Sequence, residues 1–113
     1  MEITVSVVEE IPVFHLSGRL DVTTAPLLEE RLEPLLEETG QKILFDCSEL
    51  NYVSSAGLRV FISTLRHLSA NGGGIAFASL MPPVKELFHL AGLENLFLIE
   101  GNLDAAVERL RNH

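Results

Sequence analysis

The chain has 113 residues, 47% of them apolar, which suits a single compact domain over residues 1–113. Eight basic against sixteen acidic residues give a net charge of −8, which disfavours nucleic acid and anionic membranes as partners. No apolar run approaches the roughly 20 residues of a membrane-spanning helix. The single cysteine excludes an internal disulfide, and the first residues lack a signal-peptide pattern. We therefore expect a soluble cytoplasmic protein with no direct membrane insertion.

The first quarter of the chain predicts two strands followed by a helix. Residues 2–8 and 12–17 are rich in strand-forming side chains, and the charged residues between them suit a hairpin. Residues 18–21 then predict a turn. A helix is expected to begin at Thr23 or Thr24, because either hydroxyl is a suitable cap.

The middle of the chain predicts a strand that leads directly into a second helix. The first helix is expected to end at Gly40, and residues 43–45 form a short apolar strand that Asp46 follows. Residues 52–57 then lie where this strand gives way to a helix. That helix is indicated by apolar residues at helical spacing: Leu58, Phe61, Ile62, Leu65 and Leu68.

Three consecutive glycines, at positions 72–74, resemble a phosphate-binding loop. Such loops follow a strand and open a helix. These glycines instead close the second helix and precede an apolar strand over residues 75–78. The order favours a helix C-cap followed by a turn.

The last third of the chain completes an alternating pattern. A third helix is predicted to start at residues 82–83, a strand covers residues 96–99, and Asn102 or Asp104 opens a terminal helix. Strands that alternate with helices of this length predict a mostly parallel sheet. The expected fold is therefore a single α/β domain.

Ser54 and Ser55 are informative because they lie at the start of the second helix. The first N–H groups of a helix lack partners within it and favour negative charge. A serine at this point is accessible to modification, and a phosphate attached to it would be stabilised there.

The same two serines lack the neighbours that a nucleophile needs. A catalytic serine requires a base within hydrogen-bond reach, and no histidine is close to Ser54 or Ser55 in the sequence. We therefore expect no catalytic residue, no metal site and no enzymatic activity. The four histidines are interpreted as structural or solvated: His15, His67, His89 and His113.

Asp21 and Asp46 both follow apolar segments, which would place them at strand ends on the edge of the sheet that carries the serines. There they would contribute to a binding surface or, as a weaker hypothesis, to a two-carboxylate metal site. Alternatively each carboxylate caps the following turn, Asp46 toward residues 47–48 and Asp21 toward residues 23–24. Both roles can hold together.

Three segments carry a resemblance to a known family. Residues 16–21 (LSGRLD), 46–50 (DCSEL) and 53–60 (VSSAGLRV) resemble, in order and spacing, successive motifs of the bacterial anti-sigma factor antagonists, the STAS domain family. The likeness extends over residues 1–110. It implies a STAS-like α/β domain with a mostly parallel four- to five-stranded sheet and about four helices, and a binding module instead of an enzyme.

The resemblance also implies a phosphorylation site. In that family the segment before the second helix usually reads Asp-Ser-Ser/Thr-Gly-Leu, and its first serine is phosphorylated. Alignment on Gly57 and Leu58 places Ser55 at the phosphoacceptor. Ser54 then stands where the family usually has an aspartate, and Ala56 where it has a second hydroxyl. A separate explanation for Gly57 is close packing of the helix on the sheet.

The partners implied by the resemblance are an anti-sigma factor serine kinase, which would bind ATP, and a serine phosphatase; the chain itself needs no cofactor. The unphosphorylated chain would bind the kinase and release the sigma factor, and phosphorylation at Ser55 would end that binding. The implied partner-binding residues are Asp21, Thr23, Ser54, Ser55, Ala56, Gly57, Leu58 and Arg59.

Two alternatives are retained. The missing acid at position 54 suits a STAS-like scaffold that is not phosphorylated, such as the small cytoplasmic subunit of a lipid-exporting ABC transporter. A hydrolase or metal-dependent enzyme built on Asp21, Asp46 and Ser55 is disfavoured because a base is missing.

Overall fold

The structure is a computed structural model that describes residues 1–113. Five strands and four α-helices follow one another, and none of the helices has the length and apolar composition of a membrane span. The elements are β1 (Glu2–Val8), β2 (Ile11–Leu20), α1 (Ala25–Leu36), β3 (Lys42–Val53), α2 (Ser55–Ala70), β4 (Gly74–Ala78), α3 (Pro82–Leu90), a 3₁₀ turn (Leu93–Asn95), β5 (Leu98–Glu100) and α4 (Leu103–Arg111).

The five strands form one sheet in the order β1-β2-β3-β4-β5. Strands β2 to β5 are parallel, and β1 pairs with β2 in the antiparallel sense. The β1–β2 hairpin turns at Glu9 and Glu10, both of which have positive φ, as a two-residue type I′ turn requires. The predicted α/β domain with a mostly parallel sheet is confirmed.

The two faces of the sheet are covered unequally. Helices α1, α2 and α3 pack on one face, over a core of 20 buried residues, whereas α4 alone packs on the other face, over a core of eight. Phe77 of β4 lies at the centre of the larger core. Its ring centroid is 4.9 Å from that of Phe61 on α2, 5.2 Å from Phe88 on α3 and 4.7 Å from Phe97. Helices α2 and α3 are thus held to the sheet through one aromatic cluster.

Strands β2 and β3 are longer than the sequence predicts. Residues 18–20, predicted as a turn, belong to β2, and β3 continues for seven residues beyond Asp46. The two strands pair along this extension with two register irregularities, one of them beside Gly18 at φ +100°. These bulges interrupt the alternation of apolar and polar side chains, so the strand pattern is hidden in the sequence.

Two other boundaries differ from the predictions. Helix α1 contains Pro34 and ends at Leu36, four residues before Gly40, where the Glu38 N–H donates to the Leu35 carbonyl three residues back instead of continuing the helical pattern. Strand β5 begins at Leu98, since the N–H groups of Leu96 and Phe97 donate to the Leu93 carbonyl instead of to the sheet.

The glycine run after α2 forms the predicted C-cap. Gly72 has φ +78°, and its N–H donates to the Ser69 carbonyl at 3.2 Å. The Gly73 N–H donates to the Leu68 carbonyl at 2.7 Å. This is the Schellman pattern, which satisfies the carbonyls at the end of the helix.

We expect Gly73→Ala to destabilise the domain by more than about 3 kcal/mol. A Cβ at Gly73 would lie 1.8 Å from the Gln41 carbonyl oxygen, and a backbone atom cannot move aside as a side chain can. Gly101→Ala is the matched control, because a Cβ there meets no atom within 4 Å. Urea unfolding of the three proteins measures the difference, and similar midpoints for both variants would contradict it.

Candidate functional site

The candidate site forms where β2 and β3 end side by side. Leu20, the last residue of β2, pairs with Val53, the last residue of β3. The Ser54 N–H then donates to the Leu20 carbonyl at 2.8 Å. This bond fixes the loop that follows β2 next to the first turn of α2, so Asp21 and Ser55 share one edge of the sheet.

The two serines have different structural roles. Ser54 is the N-cap of α2: its backbone is extended, and its Oγ accepts a hydrogen bond from the Gly57 N–H at 3.4 Å. Ser55 is the first helical residue, is exposed, and its hydroxyl has no hydrogen-bond partner within the chain. Ser54 therefore stabilises the helix, and Ser55 is the hydroxyl that another molecule can reach.

Asp21 caps the turn that precedes α1. Its Oδ1 accepts hydrogen bonds from the N–H groups of Thr23 at 3.0 Å and Thr24 at 3.1 Å. The hydrogen bond from the Thr24 backbone is the main reason why the pKa of Asp21 lies below its usual value, with Thr23 and Arg19 acting in the same direction. Thr24 is the N-cap residue of α1, but its hydroxyl accepts no hydrogen bond from a helix N–H, so the side-chain cap expected from a threonine is not formed. The capping role expected for Asp21 is confirmed.

Arg19 and Tyr52 flank this edge, and the sequence analysis did not identify them. They are register partners on β2 and β3, and the Arg19 guanidinium lies 4.0 Å from the centre of the Tyr52 ring. Tyr52 is the only tyrosine of the chain and is 40% exposed. A tyrosine two residues before the first serine was the signal that could have found it.

Gly57 lets α2 approach the sheet. A Cβ at this position would lie 2.8 Å from Leu20 Cγ and 3.0 Å from Val53 Cγ1, and both of these side chains are buried. The close packing considered for Gly57 is therefore present. Gly57 and Leu58, which packs on the core, both face inward and position the first turn of α2 instead of forming its surface.

A groove of about 310 Å³ separates α1 from α2 next to Ser55. Ala56 and Arg59 line it from the α2 side, and Val22 lines it from the Asp21 loop. Val22 is 75% exposed, which is unusual for a valine and which the sequence analysis did not anticipate. Arg59 is exposed and makes no ion pair, so its charge is free to meet a partner.

Asp46 does not lie at this edge, so the expectation that it joins Asp21 there is wrong. It lies in the middle of β3, seven residues before Val53, which corresponds to about 20 Å along the strand. Burial raises its pKa, but hydrogen bonds from His15 and Ser48 outweigh burial and lower the pKa overall. The bond from the Ser48 N–H, at 3.1 Å, is the capping contact that the sequence predicted.

Asp46 belongs to a row of hydrogen-bonding side chains across three strands. His15 Nδ1 lies 2.7 Å from Asp46 Oδ2, and His15 Nε2 lies 2.8 Å from Ser6 Oγ. Ser6 is exposed on the edge strand β1, so this row of side chains reaches the solvent at that end. No three His, Cys, Asp or Glu side chains cluster in a way that would hold a metal ion.

Comparison with known proteins gives a consistent result. The family model described as the STAS domain matches residues 2–106. An anti-sigma-B factor antagonist of Bacillus subtilis (strain 168) is 30% identical over 94 residues, which cover 83% of this chain and 85% of that protein.

Solved structures show the same fold. A crystal structure of an anti-sigma factor antagonist from Mycobacterium paratuberculosis has a TM-score of 0.83 at 26% identity and covers 97% of this chain and 93% of its own. The Bacillus protein SpoIIAA, at 20% identity, gives 0.83 in its unphosphorylated form, covering 99% of this chain and 98% of its own. The phosphorylated form of SpoIIAA has a TM-score of 0.76 and covers 97% of this chain and 100% of its own.

We expect the contribution of the Asp21 carboxylate to stability to depend on pH. Because the folded pKa lies below the unfolded value of about 3.9, the ionised carboxylate stabilises the fold above that pH, and its contribution is lost as the pH falls through the folded pKa. The difference in free energy of unfolding between the parent and Asp21→Asn should therefore be largest near neutral pH and shrink below about pH 4.

Urea unfolding between neutral pH and pH 3 tests this expectation. Glu29→Gln is the control, because Glu29 is an exposed acid without a hydrogen bond or an ion pair in the chain. The expectation would be contradicted if the difference in free energy of unfolding between the parent and Asp21→Asn grew as the pH fell.

Proposed function

This chain belongs to the STAS domain family, among the bacterial anti-sigma factor antagonists, and on that premise we propose that it is a phosphorylation-controlled antagonist. In its unphosphorylated form it binds an anti-sigma factor serine kinase and thereby frees the sigma factor. Phosphorylation at Ser55 by that kinase, with ATP bound to the kinase, ends the binding. A serine phosphatase restores the unphosphorylated form.

The observation that carries this proposal is the exposed, unbonded hydroxyl of Ser55 at the first position of α2. A kinase must reach the acceptor hydroxyl without unfolding its substrate, and Ser55 satisfies that condition. Ser54 is less suited to modification, because it is half-buried and its Oγ accepts the capping bond from the Gly57 N–H.

The domain can accept a phosphate at Ser55 without refolding. The N–H groups at the start of a helix have no partners within the helix and attract negative charge. The first turn of α2 contains no acidic residue that would compete with the phosphate. The modified serine therefore lies in a locally favourable field.

A partner packed around Ser55 would not accept the same phosphate. Phosphorylation adds a charge of about −1.5 to −2 and three acceptor oxygens. Burying the phosphate unpaired in an interface would cost several kcal/mol, which corresponds to a loss of about a hundredfold or more in affinity.

The groove between α1 and α2 extends the proposed interface beyond the serine. Val22 offers apolar surface, and the unpaired Arg59 offers a positive charge on the opposite wall. A partner segment that inserts an apolar side chain beside Val22 and places a carboxylate near Arg59 would match it. Thr23 is exposed on the same side of the Asp21 loop.

The comparisons support this switch by analogy. SpoIIAA has been solved in an unphosphorylated and in a phosphorylated form, and both forms share the fold of this chain. That protein thus retains one fold with and without its phosphate, as we propose for this one.

We expect the cognate serine kinase and ATP to place one phosphate on this chain, at Ser55. Peptide mass spectrometry would locate it, and Ser55→Ala would abolish it. Ser54→Ala is the matched control: it removes the adjacent hydroxyl and weakens the helix cap by about 1 kcal/mol but leaves the acceptor in place.

Two results would overturn the phosphorylation proposal. The first is phosphate on Ser54 with Ser55 unmodified. The second is no phosphate with any serine kinase of the organism while the chain copurifies with a transporter ATPase, which would favour the unphosphorylated scaffold.

We expect Ser55→Asp to weaken binding to the kinase about a hundredfold or more, and Ser54→Asp to weaken it no more than a few-fold. Both variants add one negative charge to the start of α2. Aspartate is a good N-cap, so Ser54→Asp keeps the helix start intact. Calorimetry with the purified kinase measures both affinities, and equal affinities of Ser55→Asp and the parent would refute the electrostatic explanation.

A further inference from the structure

Strand β1 is an unprotected edge of the sheet. It pairs with β2 on one side only, and the pairing runs without a register shift from Glu2 opposite Ser17 to Val8 opposite Ile11. Edge strands of natural proteins are usually short, bulged or guarded by lysine or proline. The opposite edge strand, β5, has three residues, whereas β1 has seven and contains no bulge, lysine or proline. The free side of β1 can therefore accept another strand.

The hairpin turn determines which backbone groups of β1 face outward. Residues that flank a two-residue turn exchange hydrogen bonds, and the pattern alternates along the strands from there. The N–H and C=O groups of Ile3, Val5 and Val7 then point away from β2. The contact from α1 agrees with this assignment, because Arg31 Nη1 donates to the Ile3 carbonyl at 3.3 Å. That oxygen has a second lone pair, which can accept another hydrogen bond.

The side chains of these three residues are apolar and incompletely covered. Val5 is 41% exposed and Val7 is 68% exposed, and Ile3 is half-buried. All three lie on the face of the sheet that carries α1, α2 and α3, because Val5 is opposite Phe14 of the larger core. They form an apolar row that follows the free edge.

We propose that β1 pairs with β1 of a second copy of this chain, in the antiparallel sense, about a two-fold axis at Val5. In this register Val5 lies opposite Val5, Ile3 opposite Val7, and Thr4 opposite Ser6 of the second copy. Apolar side chains meet on one face, and hydroxyl groups meet on the other. The two five-stranded sheets become one continuous sheet.

This register uses every outward-facing backbone group of β1. Ile3, Val5 and Val7 are spaced symmetrically about the axis, so three residue pairs exchange about six backbone hydrogen bonds. A shift of two residues in either direction would place Ile3 or Val7 opposite a residue outside the strand. The outward-facing groups of β1 therefore favour the register centred on Val5.

The charges near the edge are compatible with a second copy in this register. Residues 3–8 carry no charge, so the net charge of −8 on each chain lies away from the middle of the interface. At each end, Glu2 lies next to the acidic turn at Glu9 of the second copy. Arg31 lies at the same end, is exposed and makes no ion pair, so its charge offsets this repulsion.

Sedimentation equilibrium between about 10 µM and about 1 mM tests the proposal. We expect a monomer–dimer equilibrium with a dissociation constant of about 100 µM, because one pair of strands forms an interface smaller than the standard size. Association should stop at the dimer, because two-fold pairing uses the free edge of β1 in both copies.

Two cysteine variants test the register. In the proposed pairing the two Val5 Cα atoms lie about 5.5 Å apart, within the range of a disulfide, whereas the two Val7 Cα atoms lie about 14 Å apart. Oxidised glutathione should therefore link Val5→Cys into a covalent dimer and leave Val7→Cys unlinked on non-reducing electrophoresis. Val7 is the more exposed residue, so random collision would favour Val7→Cys instead. Cys47 does not interfere, because it is buried and burial raises the pKa of its thiol.

Two lysine variants test the contact at the axis. Val5→Lys should weaken the dimer at least about tenfold, because two ammonium groups would lie directly opposite each other. Leu90→Lys is the matched control: it makes the same change in net charge at a residue that is 73% exposed on α3. Sedimentation measures both dissociation constants, and amide spectra report whether each variant retains the fold.

Three results would overturn the proposal. They are a chain that is monomeric at about 1 mM, association that continues beyond the dimer, and Val7→Cys that crosslinks as readily as Val5→Cys. None of the residues assigned to the Ser55 surface belongs to β1. Ser55→Ala should therefore dimerise like the parent, so failure of this proposal and failure of the phosphorylation switch would be distinguishable.

Discussion

The close approach of α2 to the ends of β2 and β3 is the contact on which the site depends. At Gly57 the helix backbone lies so near Leu20 and Val53 that a methyl group has no room. The hydrogen bond from the Ser54 N–H to the Leu20 carbonyl also ties the start of α2 to the end of β2. Together they place the first turn of α2 beside the Asp21 loop. Without this approach, Ser55 and Asp21 would not share a surface.

The two adjacent serines have separate roles, one in stabilising the helix and one in recognition. The Ser54 hydroxyl is bound by the Gly57 N–H and keeps the helix start in place. The Ser55 hydroxyl is one residue further, where the helix turns the side chain to the outside and leaves it unbonded. The family usually places an aspartate at position 54, and a serine fulfils the same capping role without the charge. The first turn of α2 therefore carries less negative charge here than that pattern would give.

The sequence predicted the order of elements, the glycine C-cap after α2 and the position of the serines, because each depends on local patterns of few residues. It did not predict the length of β3 or the position of Asp46. Both depend on two bulges in the pairing with β2, which only the neighbouring strand reveals. The stacking of Arg19 on Tyr52 and the exposure of Val22 were missed for the same reason, since each depends on packing between segments distant in sequence.

The first turn of α2 has free N–H groups and no acidic residue. These features bear on the stability of the phosphorylated chain as well as on its affinity for the kinase. A phosphate at Ser55 would not lower the stability of the domain, because the start of a helix favours negative charge. Quality-control proteases, which act on unfolded molecules, would then remove the phosphorylated form no faster than the unmodified form. Phosphorylation would therefore change the activity of the chain without lowering its amount.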